Sequence, residues 1–247
     1  MKKTLSRIFT QVMTLMLVFC VFAGPVYAVD TITKISSFGQ SPSGGTYTAV
    51  PGATTNNVSF FYANCASSNT ATGVTYGGQA FTKIDSLVQG GSDPEPNAEI
   101  SLWYLVNPPT GSNTFAGTCS GAGTLRIQGI TFSGVSQTTP YNPAALAKIV
   151  YLSSEPHSLG VTTQYDNSWL VGAMVISGAG NPTGDSNTTF PHPNSYNTPY
   201  TPTAQTPPGA HAIGYTNSEI SAWIVTEVVP SGAVIDSGNG WETGYDF

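Results

Sequence analysis

Glu99 to Cys119 reads EISLWYLVNPPTGSNTFAGTC, two apolar runs on either side of a double proline. Successive side chains of an extended chain point to opposite faces. Ile100, Leu102, Tyr104 and Val106 therefore share one face, and Trp103 and Leu105 the other. Both faces are apolar at the centre, the pattern of a strand covered on both sides. Asn107-Pro108-Pro109-Thr110-Gly111 cannot continue it, because two prolines lack the N–H a ladder needs and Gly111 offers the positive φ of a turn. SNTFAGTC returns as the next strand, and Trp103 is expected in a core rather than at a ligand.

The same rhythm runs outward from this hairpin. Short apolar or alternating runs, separated by Gly, Pro, Asn, Asp and Ser, predict strands near 30–37, 45–50, 56–63, 73–76, 79–87, 98–106, 112–119, 124–133, 146–151, 158–163, 168–177 and 219–229. Helix formers gather only in NPAALAKIVYL, Asn142 to Leu152, where β-branched residues interrupt them. The chain is thus expected to be all-β, a single antiparallel β-sandwich of jelly-roll or immunoglobulin-like type. No stretch reads as a linker, so residues 29–247 are taken as one domain. ISLWYLVNPPTG (100–111) is echoed by ISAWIVTEVVPSG (220–232). The echo predicts two equivalent strands in a quasi-symmetric sandwich, with Trp223 in the core beside Trp103.

Residues 1–28 read as a signal peptide: Lys2, Lys3 and Arg7 precede a short apolar run, and small residues at Val26 and Ala28 mark a cleavage site. Removing them leaves Lys34, Lys83, Arg126 and Lys148 against all thirteen acidic residues, a formal charge of 4 − 13 = −9. That balance argues against nucleic acid or an anionic membrane as partner, since both need clustered Lys and Arg. No membrane insertion is expected once the signal is gone. Charged residues are only 8% of the chain, so its polar surface must be built from Ser, Thr, Asn and Gly. Cys65 and Cys119 are the even pair expected of an exported disulfide, although spacing alone leaves open that both stay free.

GVTYGGQAFTKI (73–84), ISLWYLVNPPTGSNT (100–114) and ITFSGVSQTTPYN (130–142) stand in an order and spacing that resemble a secreted bacterial β-sandwich domain family of surface and exported proteins. YDNSWLVGAMVISGAG (165–180) and SEISAWIVTEVV (218–229) look like its later strands. The resemblance covers most of the chain after residue 28. It implies the fold and an exported life, and carries over no activity and no catalytic residue.

Chemistry-bearing patterns are sparse. GTCSG, Gly117 to Gly121, has the spacing of a nucleophile elbow around Cys119, but turn and strand signals follow it where a helix is required. His157, His192 and His211 form no close metal spacing. Asp93, Glu95, Asn97 and Glu99 alternate in SDPEPNAE, a weak calcium-loop candidate beside the reading as an acidic hairpin loop. The strand rhythm breaks at about 181–211, a long Pro-, Thr- and Asn-rich loop carrying Phe190, His192, Tyr196 and Tyr200. Proline-stiffened tyrosines lose little entropy on binding, so His192, Tyr196 and Tyr200, with Trp241 in the polar C-terminal GNGWETGYDF, are the candidate ligand-binding residues. The alternative is a surface crossover tacked down by its own aromatics.

These features lead to a secreted or cell-surface, non-enzymatic interaction module without a cofactor, binding a glycan or a surface protein. The alternatives are a self-associating subunit of an extracellular coat or fibre, and a hydrolase of extracellular polysaccharide needing two carboxyls across a cleft.

Overall fold

The computed structural model describes residues 30–40, 48–49, 56–65, 69–88, 99–152, 155–176, 181–192, 195–217 and 220–233. Its elements are β1 (Thr33–Gln40), β2 (Thr48–Ala49), β3 (Val58–Cys65), β4 (Ala71–Tyr76), β5 (Gln79–Ala80), β6 (Thr82–Val88), β7 (Glu99–Val106), β8 (Asn113–Cys119), β9 (Leu125–Ser133), β10 (Tyr141–Tyr151), β11 (His157–Thr162), β12 (Trp169–Ile176), β13 (Tyr196–Asn197), β14 (Ala210–Tyr215) and β15 (Ser221–Val228). Every pairing is antiparallel.

The sandwich has four layers where the sequence predicts two. A central sheet β1-β9-β3-β7-β6 faces a second central sheet β10-β15-β12-β13, and each is backed by an outer sheet, β2-β8-β4-β5 and β11-β14 respectively. The period-two pattern explains the layering. Ile100 and Leu102 of β7 pack with Ala173, Val175, Ala222 and Ile224 across the central interface. Trp103 and Leu105 turn the other way, onto Val74, Tyr76 and Phe115 of the outer sheet. Strands β3, β12 and β15 are buried along their whole length, which is why they read as apolar runs rather than as clean alternations. The sharp turn after β7 is made as its residues suggest, with Asn107 at φ 47° and Gly111 at φ 81°.

The two halves of the chain repeat one another, by a different equivalence from the one the sequence suggests. The orders β1-β9-β3-β7 and β10-β15-β12-β13 superimpose in sequence order, and the outer pairs β2·β8 and β11·β14 match as well. Asn56 and Asn167, with φ of 55° and 59°, stand two residues ahead of β3 and β12. Val58 and Phe60 cluster with Trp169 and Val171, while Tyr62 meets Ala173 and Val175, so β3 and β12 cross the central interface in the same direction. The counterpart of β15 is therefore β9, not β7. Trp103 and Trp223 consequently lie in separate clusters, one under each outer sheet, and not side by side as expected. What the echoed Ser-x-Trp segments do share is local: Trp103 Nε1 donates to Ser101 Oγ at 2.7 Å, and Trp223 Nε1 to Ser221 Oγ at 2.8 Å. Each hydroxyl satisfies an indole N–H that is out of water.

Close approach of the neighbouring strands β1 and β3 fixes Gly129 of β9, which lies opposite Phe38. A Cβ there would lie 2.3 Å from Phe38 Cζ and 2.7 Å from the Phe60 carbonyl oxygen. We expect Gly129→Ala to cost about 1–3 kcal/mol through overpacking, read as a lowered urea midpoint. An unchanged midpoint would show that the sheet yields there.

Candidate functional site

The long loop does not stand away from the body. Isolated bridges Val171↔Tyr200 and Ser168↔Gln205, together with β13, lay residues 196–205 along the edge of β12 opposite β15, and Thr189 pairs with Tyr200 on the outer side of that segment. This segment occupies the position that β7 holds in the first half. Thr198 stitches it across the interface: its Oγ1 donates to the Gln128 carbonyl at 2.7 Å and accepts from the Tyr62 N–H at 3.3 Å.

The candidate residues are thereby set in a row beside β1 and β9. Tyr200 is 7% exposed and stacks on Trp169 at a centroid distance of 6.2 Å, with the Lys34 ammonium 5.5 Å from its own centroid. His192 is half-buried against Gly39, where a Cβ would lie 2.7 Å from the imidazole Cδ2. The Asn197 amide donates to the His192 carbonyl and holds that turn. Tyr196, half-exposed, lies under Arg126, whose guanidinium carbon is 4.3 Å from the ring centroid and whose Nη1 donates to the Tyr196 hydroxyl. Six residues of β9 separate Arg126 from Phe132, the partner of Lys34, so the row spans about 20 Å at 3.3–3.4 Å per residue. Trp241, Asp93, Glu95 and Asn97 lie outside the described residues. Glu99, the remaining member of the calcium candidate, accepts from Lys83 Nζ at 3.2 Å.

Sequence reasoning named the three loop residues and not the strand residues beside them. Lys34, Arg126 and Gly39 come from β1 and β9, remote in sequence. The glycine inside the strand signal SSFGQ was the one available clue, since a strand glycine often marks close approach.

Burial pushes the His192 imidazole below its ordinary value; the Phe38 carbonyl opposes that shift and the Lys34 charge adds to it.

Two further polar groups are enclosed and structural. His157 Nδ1 lies 3.1 Å from the Tyr215 hydroxyl and 3.3 Å from Ser221 Oγ, with its ring stacked at 4.0 Å on Tyr151. Ser221 is fully buried and already accepts the Trp223 N–H, so this serine–histidine contact cannot meet a substrate. Burial lowers the His157 value below 6.5, against a smaller opposing effect of Glu155. The unfolded chain then protonates first, and stability is full above the unfolded value and falls as pH drops through it. Denaturation midpoints at pH 7.5 and pH 5 should differ more for the native protein than for His157→Gln; equal differences would remove His157 from the acid response. Glu227, also fully buried, accepts from Asn142 Nδ2 at 2.7 Å and from the backbone N–H of Gln164 and Tyr165 at 3.0 and 2.9 Å.

Cys65 and Cys119 form a disulfide, S–S 2.04 Å, from β3 to β8. The thiol an elbow would need is therefore bonded. Bonds of this kind persist in oxidising compartments. Among the described residues no cluster of His, Cys, Asp and Glu suits a metal ion, and no helix is long and apolar enough to cross a membrane. The site and fold define an all-β, disulfide-linked, four-layer protein with a row of ring–cation pairs along one edge. The chain matches no protein-family model, no curated protein and no solved structure.

Proposed function

We propose that the chain is a secreted, non-enzymatic module of a bacterial surface or extracellular β-sandwich family, which binds a glycan through the row formed by the 189–201 crossover, β1 and β9. The supporting observation is the collection of His192 and Tyr196, carried on a segment that is pinned to the edge of β12, with Lys34 of β1 and Arg126 of β9, all half-exposed. A rigid row of this kind loses little conformational entropy on binding. Tyr200 contributes from beneath, as the ring that fixes Lys34, rather than as a contact.

The test is a glycan array probed with protein collected from the medium of an exporting host, whose first residue should be Val29. Tyr196→Ala is expected to lose at least about tenfold in affinity, the scale of one well-placed contact. Selective binding that survives this change would move the site elsewhere, and a blank array would remove the glycan reading.

A second reading has its own observation. The outward faces of both outer sheets carry small uncharged residues: Thr72, Thr114, Ala116 and Thr118 on one, Ser158, Gly160, Thr162 and Ala210 on the other. Thr72 and Thr118 hydrogen-bond across strands at 2.9 Å. Flat faces at both ends of a stack suit packing between copies in a coat or fibre. Assembly that grows with concentration in light scattering would favour this reading; a monomer across the range would remove it. The hydrolase alternative would need two carboxyls turned toward one cleft, whereas Asp85 is engaged by Lys148 at 2.9 Å, Glu99 by Lys83, and Glu227 is enclosed.

A further inference from the structure

Every lysine after residue 28 is followed by isoleucine, at Lys34-Ile35, Lys83-Ile84 and Lys148-Ile149. The three pairs fall on β1, β6 and β10, the two edge strands of the first central sheet and one edge strand of the second. Each of these strands is also bulged. Lys34 pairs with Phe132 and Ser36 with Thr131, which leaves Ile35 over. Lys83 pairs with Trp103 and Asp85 with Leu102, which leaves Ile84 over. On β10 the extra residues are Pro143, Ala144 and Ala145, ahead of Leu146. The interior ladders β3·β7, β3·β9 and β12·β15 run without any such shift. The remaining edge, beside β12, is formed by β13 and the segment to Gln205, where Pro199 and Pro202 offer no N–H.

The lysines are held in place. Lys34 Nζ lies 5.5 Å from the Tyr200 centroid and Lys83 Nζ 4.9 Å from that of Trp103. Lys83 also meets Glu99 at 3.2 Å, and Lys148 meets Asp85 at 2.9 Å. Residues directly opposite one another in a ladder share a face. Lys34 therefore points as Phe132 does, and Lys148 as Ile224 does, toward the central interface. Lys83 points as Trp103 does, toward the outer sheet. Each ammonium thus stands at the rim of an interface between layers.

We infer that Lys34, Lys83 and Lys148 are edge guards, which stop a second copy of the chain from adding a strand to β1, β6 or β10. An unpaired edge offers its N–H and C=O groups to any extended chain. A strand added beside one of these lysines would carry the layer interface outward over it and take the ammonium out of water. Two copies joined edge to like edge would also bring like charges to one seam. The bulge interrupts the ladder and increases the local twist, so an incoming strand finds no regular row of partners. Three of the four cations after residue 28 stand on these edges. The inference is independent of the glycan reading, and it leaves the outer sheets as the route between copies in the coat reading.

The experiment compares the exported protein with Lys34→Val and with Lys34→Val/Lys83→Val/Lys148→Val across a concentration series. Light scattering reads assembly, and amide hydrogen exchange reads which strands become protected. The triple variant should assemble at a concentration at least about tenfold below the native protein, with new protection at β1, β6 or β10. Lys34→Val breaks no ion pair among the described residues and should shift the same way. Lys34→Arg keeps the charge and should behave as the native protein does. Gly129→Ala weakens the same sheet from its interior and should not assemble. Circular dichroism confirms that each variant is folded. The inference fails if neither valine variant assembles, if Lys34→Arg assembles like Lys34→Val, or if Gly129→Ala does so. It fails as well if the new protection falls on the outer sheets, or if assembly of the native protein protects β1, β6 or β10. Native assembly that protects only the outer sheets supports it, because the guarded edges then stay open to exchange.

Discussion

Reduction of the Cys65–Cys119 bond should lower the unfolding free energy by about 4 kcal/mol, the chain-entropy value for a loop of this size, given a separation of 54 residues. The loop it closes contains β4 to β7 and most of β8, and therefore strands of both the first central sheet and its outer sheet. Cys65 is fully buried beside Phe61, Ala63 and Trp103, and Cys119 packs at the margin of that cluster. The bond thus joins two layers that also pack through side chains such as Phe38 stacked on Phe115 at 4.9 Å. Urea unfolding with and without reductant, beside the Cys65→Ala/Cys119→Ala double variant, measures the effect. Alanine avoids burying a new hydroxyl, so reduction and double substitution should agree. A loss under about 1 kcal/mol would mean that the outer sheet is held by packing alone, or that the reduced chain keeps the two layers together when unfolded.

Glu227→Ala should cost about 3–5 kcal/mol, because it leaves three enclosed donors without an acceptor at about 1–3 kcal/mol each. The carboxylate holds three elements at once: β15, where it resides, the bulged start of β10 through Asn142, and the turn leading into β12 through the N–H groups of Gln164 and Tyr165. Alanine leaves those donors buried without acceptors, which is where most of the cost arises. Glu227→Gln retains one acceptor but points an amide N–H₂ at the remaining donors, so it should fall between alanine and the native protein. Hydrogen exchange should accelerate first at residues 163–165. A cost within 1 kcal/mol for alanine, or exchange that changes equally everywhere, would show that the turn does not depend on this side chain.

The hairpin around Asn107–Gly111 was legible from residue types alone, because a double proline followed by glycine admits few backbones. Most strands were legible for the same kind of reason. The exceptions carry the lesson. Ala210–Tyr215 reads weakly, with two alanines and a glycine, and becomes a strand by pairing with β11 and burying Ile213 and Tyr215. Residues 141–145 carry helix formers and a proline, and extend into β10 only because Asn142 is held by Glu227 and the ladder resumes at Leu146 after a bulge. In both places tertiary pairing overrides local propensity.

Of the candidate site, His192, Tyr196 and Tyr200 could be named from ring chemistry on a proline-rich segment, but whether each ring is displayed or packed could not. Tyr200 turns inward to Trp169, while Tyr196 stays half-exposed beside Arg126.

By itself the sequence determined the all-β class, the apolar faces of the central strands and the tight turns; it offered Cys65 and Cys119 as a pair and left their bond to the tertiary structure. Each depends on neighbours close along the chain or on a residue type with few alternatives. Tertiary structure alone decided that there are four layers, that β9 rather than β7 is the counterpart of β15, and that Lys34 and His192 share one edge. Those facts depend on which strands pair, and pairing joins residues as far apart as Thr33 and Ser133, or Tyr141 and Val228. A period of two states which face a side chain takes and is silent on which sheet covers it.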